Sequence, residues 1–205
     1  MRKVLILIMA LAAAVGMNAA ESAASLLQRC ASKLTSAPSV SASFSIRSSD
    51  GENIGGSIVM ACEKFRISSP VMHIWYDGRT QWSALTSARE VNVSEPTAEE
   101  LLASNPFAII TSYASLYNVR LLPAQKGSRL RRVEFTPRQD GADIRRAVLV
   151  IDPSTDWPVK ATVVMASGAS VDTTISNCST GKKLADSTFV YKKGDLPGYE
   201  LVDLR

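Results

Sequence analysis

The sequence is short of the side chains that usually carry catalysis. It holds a single histidine, His73, in 205 residues, and a hydrolase triad needs an imidazole within reach of both a nucleophile and an orienting carboxylate. His73 sits in an apolar run beside Met72 and Ile74, and no Gly-Xaa-Ser-Xaa-Gly elbow occurs. Cysteine appears three times, at 30, 62 and 178, with no Cys-Xaa-Xaa-Cys pair. That spacing argues against a zinc site, and an odd number allows at most one intramolecular disulfide, with the pairing left open. Gly55-Gly56 lacks the helix start and lysine of a phosphate loop. No enzyme, metal or cofactor is expected.

Long apolar runs are missing too, except at the start. Arg2 and Lys3 precede an apolar core over residues 4–15, and Asn18-Ala19-Ala20 offers small residues before Glu21. This is the pattern of a secretory signal, cleaved near Ala20. Its core is shorter than the roughly 20 residues that span a bilayer. Cys30 lies too far on for a lipid attachment site. Residues 21–205 are thus expected to form one exported, soluble domain in the periplasm. Removing Arg2 and Lys3 lowers the formal charge from +4 to about +2, so the basic balance does not imply nucleic acid. A monomer is expected.

Residues 21–34 repeat apolar groups every three to four positions through Ala23, Leu27, Cys30 and Leu34, which predicts an amphipathic helix ending before Pro38. Val40, Ala42, Phe44 and Ile46 then alternate with Ser41, Ser43, Ser45 and Arg47, the period of a strand with one buried face. Turns at 50–51 and 55–56 precede strands through Ile58, Met60 and Cys62, and through Phe65 and Ile67. Thr97 followed by Glu100 fits a helix capping box, a reading that prevails over a catalytic Glu99-Glu100 pair because adjacent helical residues diverge by about 100 degrees. Asn105-Pro106 supplies an N-cap and a first-turn proline for another helix. Strands are predicted over 119–122, 129–136, 144–151, 159–167 and 171–178, with an additional strand over 184–191 and irregular chain after 192. Short strands with brief connections indicate an antiparallel meander. Glu134 is expected near Arg145 or Arg146 across neighbouring strands.

The stretch from Val71 to Trp82 joins bulky apolar residues to Asp77-Gly78, the preferred dipeptide of a two-residue type I′ turn. That turn would set Trp75 opposite Thr80 and His73 opposite Trp82. Val71, His73, Trp75, Thr80 and Trp82 would share one face, and Met72, Ile74, Tyr76, Arg79 and Gln81 the other. Apolar groups on both faces predict a sheet covered on both sides or lining a cavity.

The order of these elements resembles the periplasmic lipoprotein carrier family LolA. The resemblance is carried by Phe44, Gly56-Ser57-Ile58, Phe65, Pro70, Asp77-Gly78-Arg79-Thr80-Gln81-Trp82, Asn105-Pro106-Phe107 and Phe189. It implies an α+β, mainly antiparallel fold: an incomplete β-barrel covered by a lid of helices and enclosing an apolar cavity. It also implies a carrier that receives an acylated lipoprotein, or a related lipid, from an inner-membrane transporter and gives it to an outer-membrane acceptor. The expected walls are Phe44, Ile46, Ile58, Met60, Phe65, Ile67, Trp75 and Trp82, with Ile109 and Ile110 under the lid; the same residues could fill a closed core. The family's Lys-Arg-Pro segment, whose arginine helps hold the lid, corresponds to Ala61-Cys62-Glu63-Lys64, and an ammonium does not reproduce guanidinium geometry. The same architecture resembles RseB-type envelope-stress regulators, which implies the alternative of a sensor that binds a lipid or peptide signal.

Overall fold

The computed structural model describes residues 21–49, 51–105 and 107–205. The expected signal segment over 1–20 and residue Asp50 lie outside the described residues, as does Pro106. Helix α1 (Ala23–Ser36) opens on a capping box of two serines, Ser22 Oγ accepting from Ser25 N at 3.0 Å and Ser25 Oγ from Ser22 N at 3.1 Å. Each hydroxyl satisfies an amide that the first helical turn leaves free. Leu26, Leu27, Cys30 and Leu34 form its buried stripe, and the chain turns extended at Ala37, before Pro38.

The chain then runs back and forth through β1 (Ser39–Ser48), β2 (Asn53–Ala61), β3 (Lys64–Ser68), β4 (Met72–Tyr76), β5 (Gln81–Leu85) and β6 (Glu90–Ser94). Helices α2 (Ala98–Ser104) and α3 (Ala108–Leu116) interrupt it. A second meander follows through β7 (Tyr117–Leu121), β8 (Arg131–Pro137), β9 (Ile144–Asp152), β10 (Trp157–Met165) and β11 (Ser170–Gly181). β11 pairs antiparallel with β1, with Phe44 opposite Ile175 and Ile46 opposite Thr173. The two meanders thereby become one twelve-stranded sheet, ordered β12-β6-β5-β4-β3-β2-β1-β11-β10-β9-β8-β7, in which β12 (Glu200–Asp203) is the last strand of the chain. Its terminal strands, β12 and β7, are not paired with each other, so the sheet curls without closing. This is the mainly antiparallel, unclosed sheet that the resemblance implied.

Alternation decides which side each residue serves. Ala42, Phe44, Ile58, Met60, Phe65, Ile67, Ile74 and Tyr76 turn inward and join Leu26, Leu27 and Cys30 of α1 in the main core. Glu21 fastens the start of that helix to the sheet, accepting from Arg29 at 2.7 Å and from Arg131 at 3.0 Å. Lys33 lies over the Trp157 ring, 4.6 Å from its centroid. Glu134 meets Arg146 at 3.6 Å, as the sequence suggested, and Arg120 at 2.6 Å.

Gly55-Gly56 lies within β2 and marks no turn, and four further local expectations are corrected. The Asp77-Gly78 turn is a four-residue loop, with Trp75 opposite Trp82 and His73 opposite Ala84. The Asp77 carboxylate accepts from the amides of Arg79 and Thr80 at 2.9 and 2.8 Å, an Asx arrangement that draws both residues out of the strands. The register moves by two, so every residue keeps its face. Second, Asn105 Oδ1 accepts from Phe107 N at 2.9 Å rather than capping α3, whose N-cap position is Phe107. Third, residues 184–191 supply no strand but a 3-10 turn, Asp186–Phe189, that buries Phe189. Fourth, the stretch after 192 contains β12, which lies parallel to β6.

Candidate functional site

The concave side of the sheet is only partly filled. α1 occupies one part of it, and beside that helix a cavity of about 880 Å³ remains between the sheet and α2–α3. This lies within the range of roughly 300–1,000 Å³ usual for small-molecule sites. Its floor is built from neighbouring strands at one level: Ile46 of β1, Thr173 of β11, Ala161 of β10 and Leu149 of β9, which the register places side by side. Phe44 and Phe135 extend the apolar surface. Ile67 and Met72 form the wall toward β3 and β4, and Ile109 and Leu116 of α3 cover it.

The helical cover is tied down by few polar contacts. Thr97 Oγ1 and Glu100 cap α2 reciprocally, with Thr97 N donating to Glu100 Oε2 at 2.7 Å. These hydrogen bonds from Thr97 favour the ionised carboxylate and lower the Glu100 pKa. Ser104 Oγ lies 3.3 Å from Gln81 Oε1, linking α2 to β5. Lys64 plays no part in the cover: it alternates with inward-facing Phe65 and pairs with Asp186 on the 3-10 turn at 2.8 Å.

The residues expected as walls separate into three sets. Phe44, Ile46, Ile67 and Ile109 line the cavity. Ile58, Met60, Phe65 and Ile110 face the same side but are buried in the packed core. Trp75 and Trp82 lie on the opposite, outer face. There Trp75 packs with Ala84 and Val91 under Tyr191, Leu196 and Tyr199, its ring edge-on to Tyr191 at 5.3 Å. The hydrophobic character of both faces was readable; that the chain's own C-terminal segment covers one of them was not. His73 belongs to this outer face, 6.0 Å from the Trp75 ring. Burial, and then the nearby Arg66 charge, lower its pKa.

Sequence reasoning missed the contribution of the second meander. Ala147, Leu149, Ala161, Val163 and Phe135 all line the cavity, and the alternation Ala147-Leu149-Ile151 was the available signal. It also missed the polar rim from Gln139 to Asp143, which reads in sequence as an ordinary turn. Among the described residues, no group of three or more His, Cys, Asp and Glu side chains is placed to hold a metal ion. The three cysteines form no disulfide, Cys30 being buried and Cys62 exposed. No described helix is long and apolar enough to cross a membrane.

The fold is an open antiparallel sheet with a largely apolar hollow under helices. The sequence model of the family described as outer membrane lipoprotein carrier protein LolA matches residues 14–169; the chain belongs to that family. Among solved structures it is similar to an uncharacterized conserved protein from Thermus thermophilus, at 11% identity and TM-score 0.58, covering 88% of this chain and 98% of that one. It is also similar to a LolA superfamily protein from Nitrosomonas europaea, at 14% identity and TM-score 0.47, covering 84% and 99%. MucB matches at 19% identity and TM-score 0.46, covering 88% of this chain and 65% of MucB. No curated protein matches the sequence.

Proposed function

We propose that this protein is a periplasmic carrier. It holds the acyl chains of an outer-membrane lipoprotein, or a related lipid, in the cavity and moves them from the inner to the outer membrane. An inner-membrane transporter would load it, and an outer-membrane acceptor would unload it. The observation that supports this reading is the cavity of about 880 Å³ with an apolar floor, in a chain of the LolA family.

Burying an acyl chain gains roughly 0.8 kcal/mol per methylene, so a cavity of this kind can hold an anchor that would otherwise stay in a bilayer. The reaction is transfer, with no covalent step. Release requires α2 and α3 to move from the floor, and the Ser104–Gln81 contact is a polar tie that such a movement breaks. Acyl chains would lie against Phe44, Ile46, Ile67 and Ile109.

Mass spectrometry of protein purified natively from the periplasm tests the proposal. Bound acylated peptide or lipid is the expected result. A preparation that carries no lipid, binds no acyl probe and instead captures a transmembrane signalling protein would replace the carrier with the regulatory reading.

A further inference from the structure

The charge pattern of the cavity restricts what it can hold. Among the described residues that line it, the ionisable side chains are Glu100, Asp140, Asp143 and Tyr117, and none is lysine, arginine or histidine. Glu100, Asp140 and Asp143 are exposed, so they stand where the lining meets solvent. The side chains of Asp140 and Asp143 make no hydrogen bond or ion pair with the described residues. Their basic neighbours in sequence, Arg138 and Arg145, do not line the cavity, and Arg138 Nε donates to the Tyr117 carbonyl at 3.1 Å. A head group arriving at this rim meets three negative charges with no cation among the lining residues to offset them.

A second observation comes from inside. Thr173 is 7% exposed and lines the cavity between Ile46 and Ala161, yet its hydroxyl has no hydrogen-bond partner among the described residues. It is not among the fully buried atoms left unpaired, which among the described residues are Arg66 Nε and Arg132 Nε; the hydroxyl stays accessible at the cavity lining, free to pair with a ligand. Along β10, Met165 comes four residues after Ala161 and pairs with Ile144 beside Asp143. At about 3.3 Å per residue, the hydroxyl lies about 13 Å inside the Asp143 rim.

We infer that the cavity selects acyl ligands joined by uncharged ester or amide groups and excludes those with a phosphate or carboxylate head. Thr173 donates to an ester or amide oxygen inside, while the rim carboxylates repel an anion outside. This rests on the acyl-cavity reading above and narrows it: a lipid-modified peptide fits, an anionic phospholipid or free fatty acid does not.

The test is displacement of the uncharged fluorophore N-phenyl-1-naphthylamine from the full exported chain at low salt. Monolauroylglycerol, laurate and lauroyl lysophosphatidylglycerol compete below their micellar concentrations. Monolauroylglycerol is expected to displace the probe at about tenfold lower concentration than either anion, with the gap closing as salt screens the rim. The double variant Asp140→Asn, Asp143→Asn should reduce the gap to less than about threefold. Thr173→Val should weaken monolauroylglycerol about fivefold more than it weakens the probe, and Thr173→Ser should restore it. Equal competition by all three amphiphiles overturns this inference and leaves the acyl cavity standing. Failure of the probe and of every amphiphile to bind overturns the acyl cavity itself.

Discussion

The ring of Phe44 lies directly over Gly56 on the neighbouring strand. A methyl group built on Gly56 would stand 2.4 Å from Phe44 Cζ and 2.7 Å from the Ser68 carbonyl oxygen. Both separations are well inside van der Waals contact. The absence of a side chain at Gly56 is therefore what lets Phe44, opposite it in the register, lie across the sheet and form part of the cavity floor.

Gly56→Ala should lower stability by about 1–3 kcal/mol through overpacking, read as a lower urea midpoint at unchanged slope. Part of the loss should return in Gly56→Ala, Phe44→Leu, since a shorter side chain relieves the ring contact but not the clash with Ser68. A Gly56→Ala protein as stable as the parent would contradict this packing.

None of the three tryptophans lines the cavity. A brominated acyl chain should consequently leave most of the intrinsic fluorescence unquenched. An Ile109→Trp variant should be quenched on the same titration, because residue 109 faces the ligand space. Strong quenching of the parent at Trp75 or Trp82 would place the ligand on the outer face instead.

Lid control is expected to differ from the family arrangement. Lys64→Ala should leave the exchange rate of a bound acyl probe unchanged, since its partner Asp186 is not on the cover. Gln81→Ala should speed exchange by a few-fold by removing the tie to Ser104. Stopped-flow exchange of a fluorescent fatty amide distinguishes the two.

The cysteines should react in a fixed order. Burial pushes the Cys30 thiol up to about 12, with smaller contributions from neighbouring charges, and it is fully enclosed in the core. Cys62 lies exposed at a turn with φ of 54°. Alkylation under native conditions should label Cys62 within minutes and leave Cys30 unmodified until denaturant is added, as peptide mapping would record.

Acid should loosen the seat of α1. Hydrogen bonds from Arg29 and then Arg131 outweigh burial and hold the Glu21 carboxyl below its ordinary value of 4.5. A lowered folded-state pKa contributes stability above the unfolded value and loses it as pH falls through the folded one. The melting temperature should thus fall between about pH 5 and pH 3, and Glu21→Gln should flatten that part of the profile. An identical profile in the variant would remove Glu21 from the account.

Much of the inner face was legible because its signals are local. The serine-apolar alternation from Val40 to Ile46 marked β1, and Thr97 with Glu100 marked the start of α2. What remained hidden depends on partners far away in the chain. Val91 and Val93 are two apolar residues of a short strand, and β6 becomes recognisable only once β5 and β12 flank it. Trp75 and Tyr76 look equally suited to a cavity wall; coverage by Tyr191 and Leu196 separates them. The Asp77-Gly78 register failed at a finer level, where the Asp77 side chain competes with the strand ladder for the amides of Arg79 and Thr80.

The parallel pairing of β12 with β6 has a consequence for biogenesis. An unpaired strand edge is a template for association with other chains. β6 offers such an edge until residues 200–203, which follow every other strand in the sequence, have emerged and folded back. Until that strand arrives, the sheet is open on the β6 side.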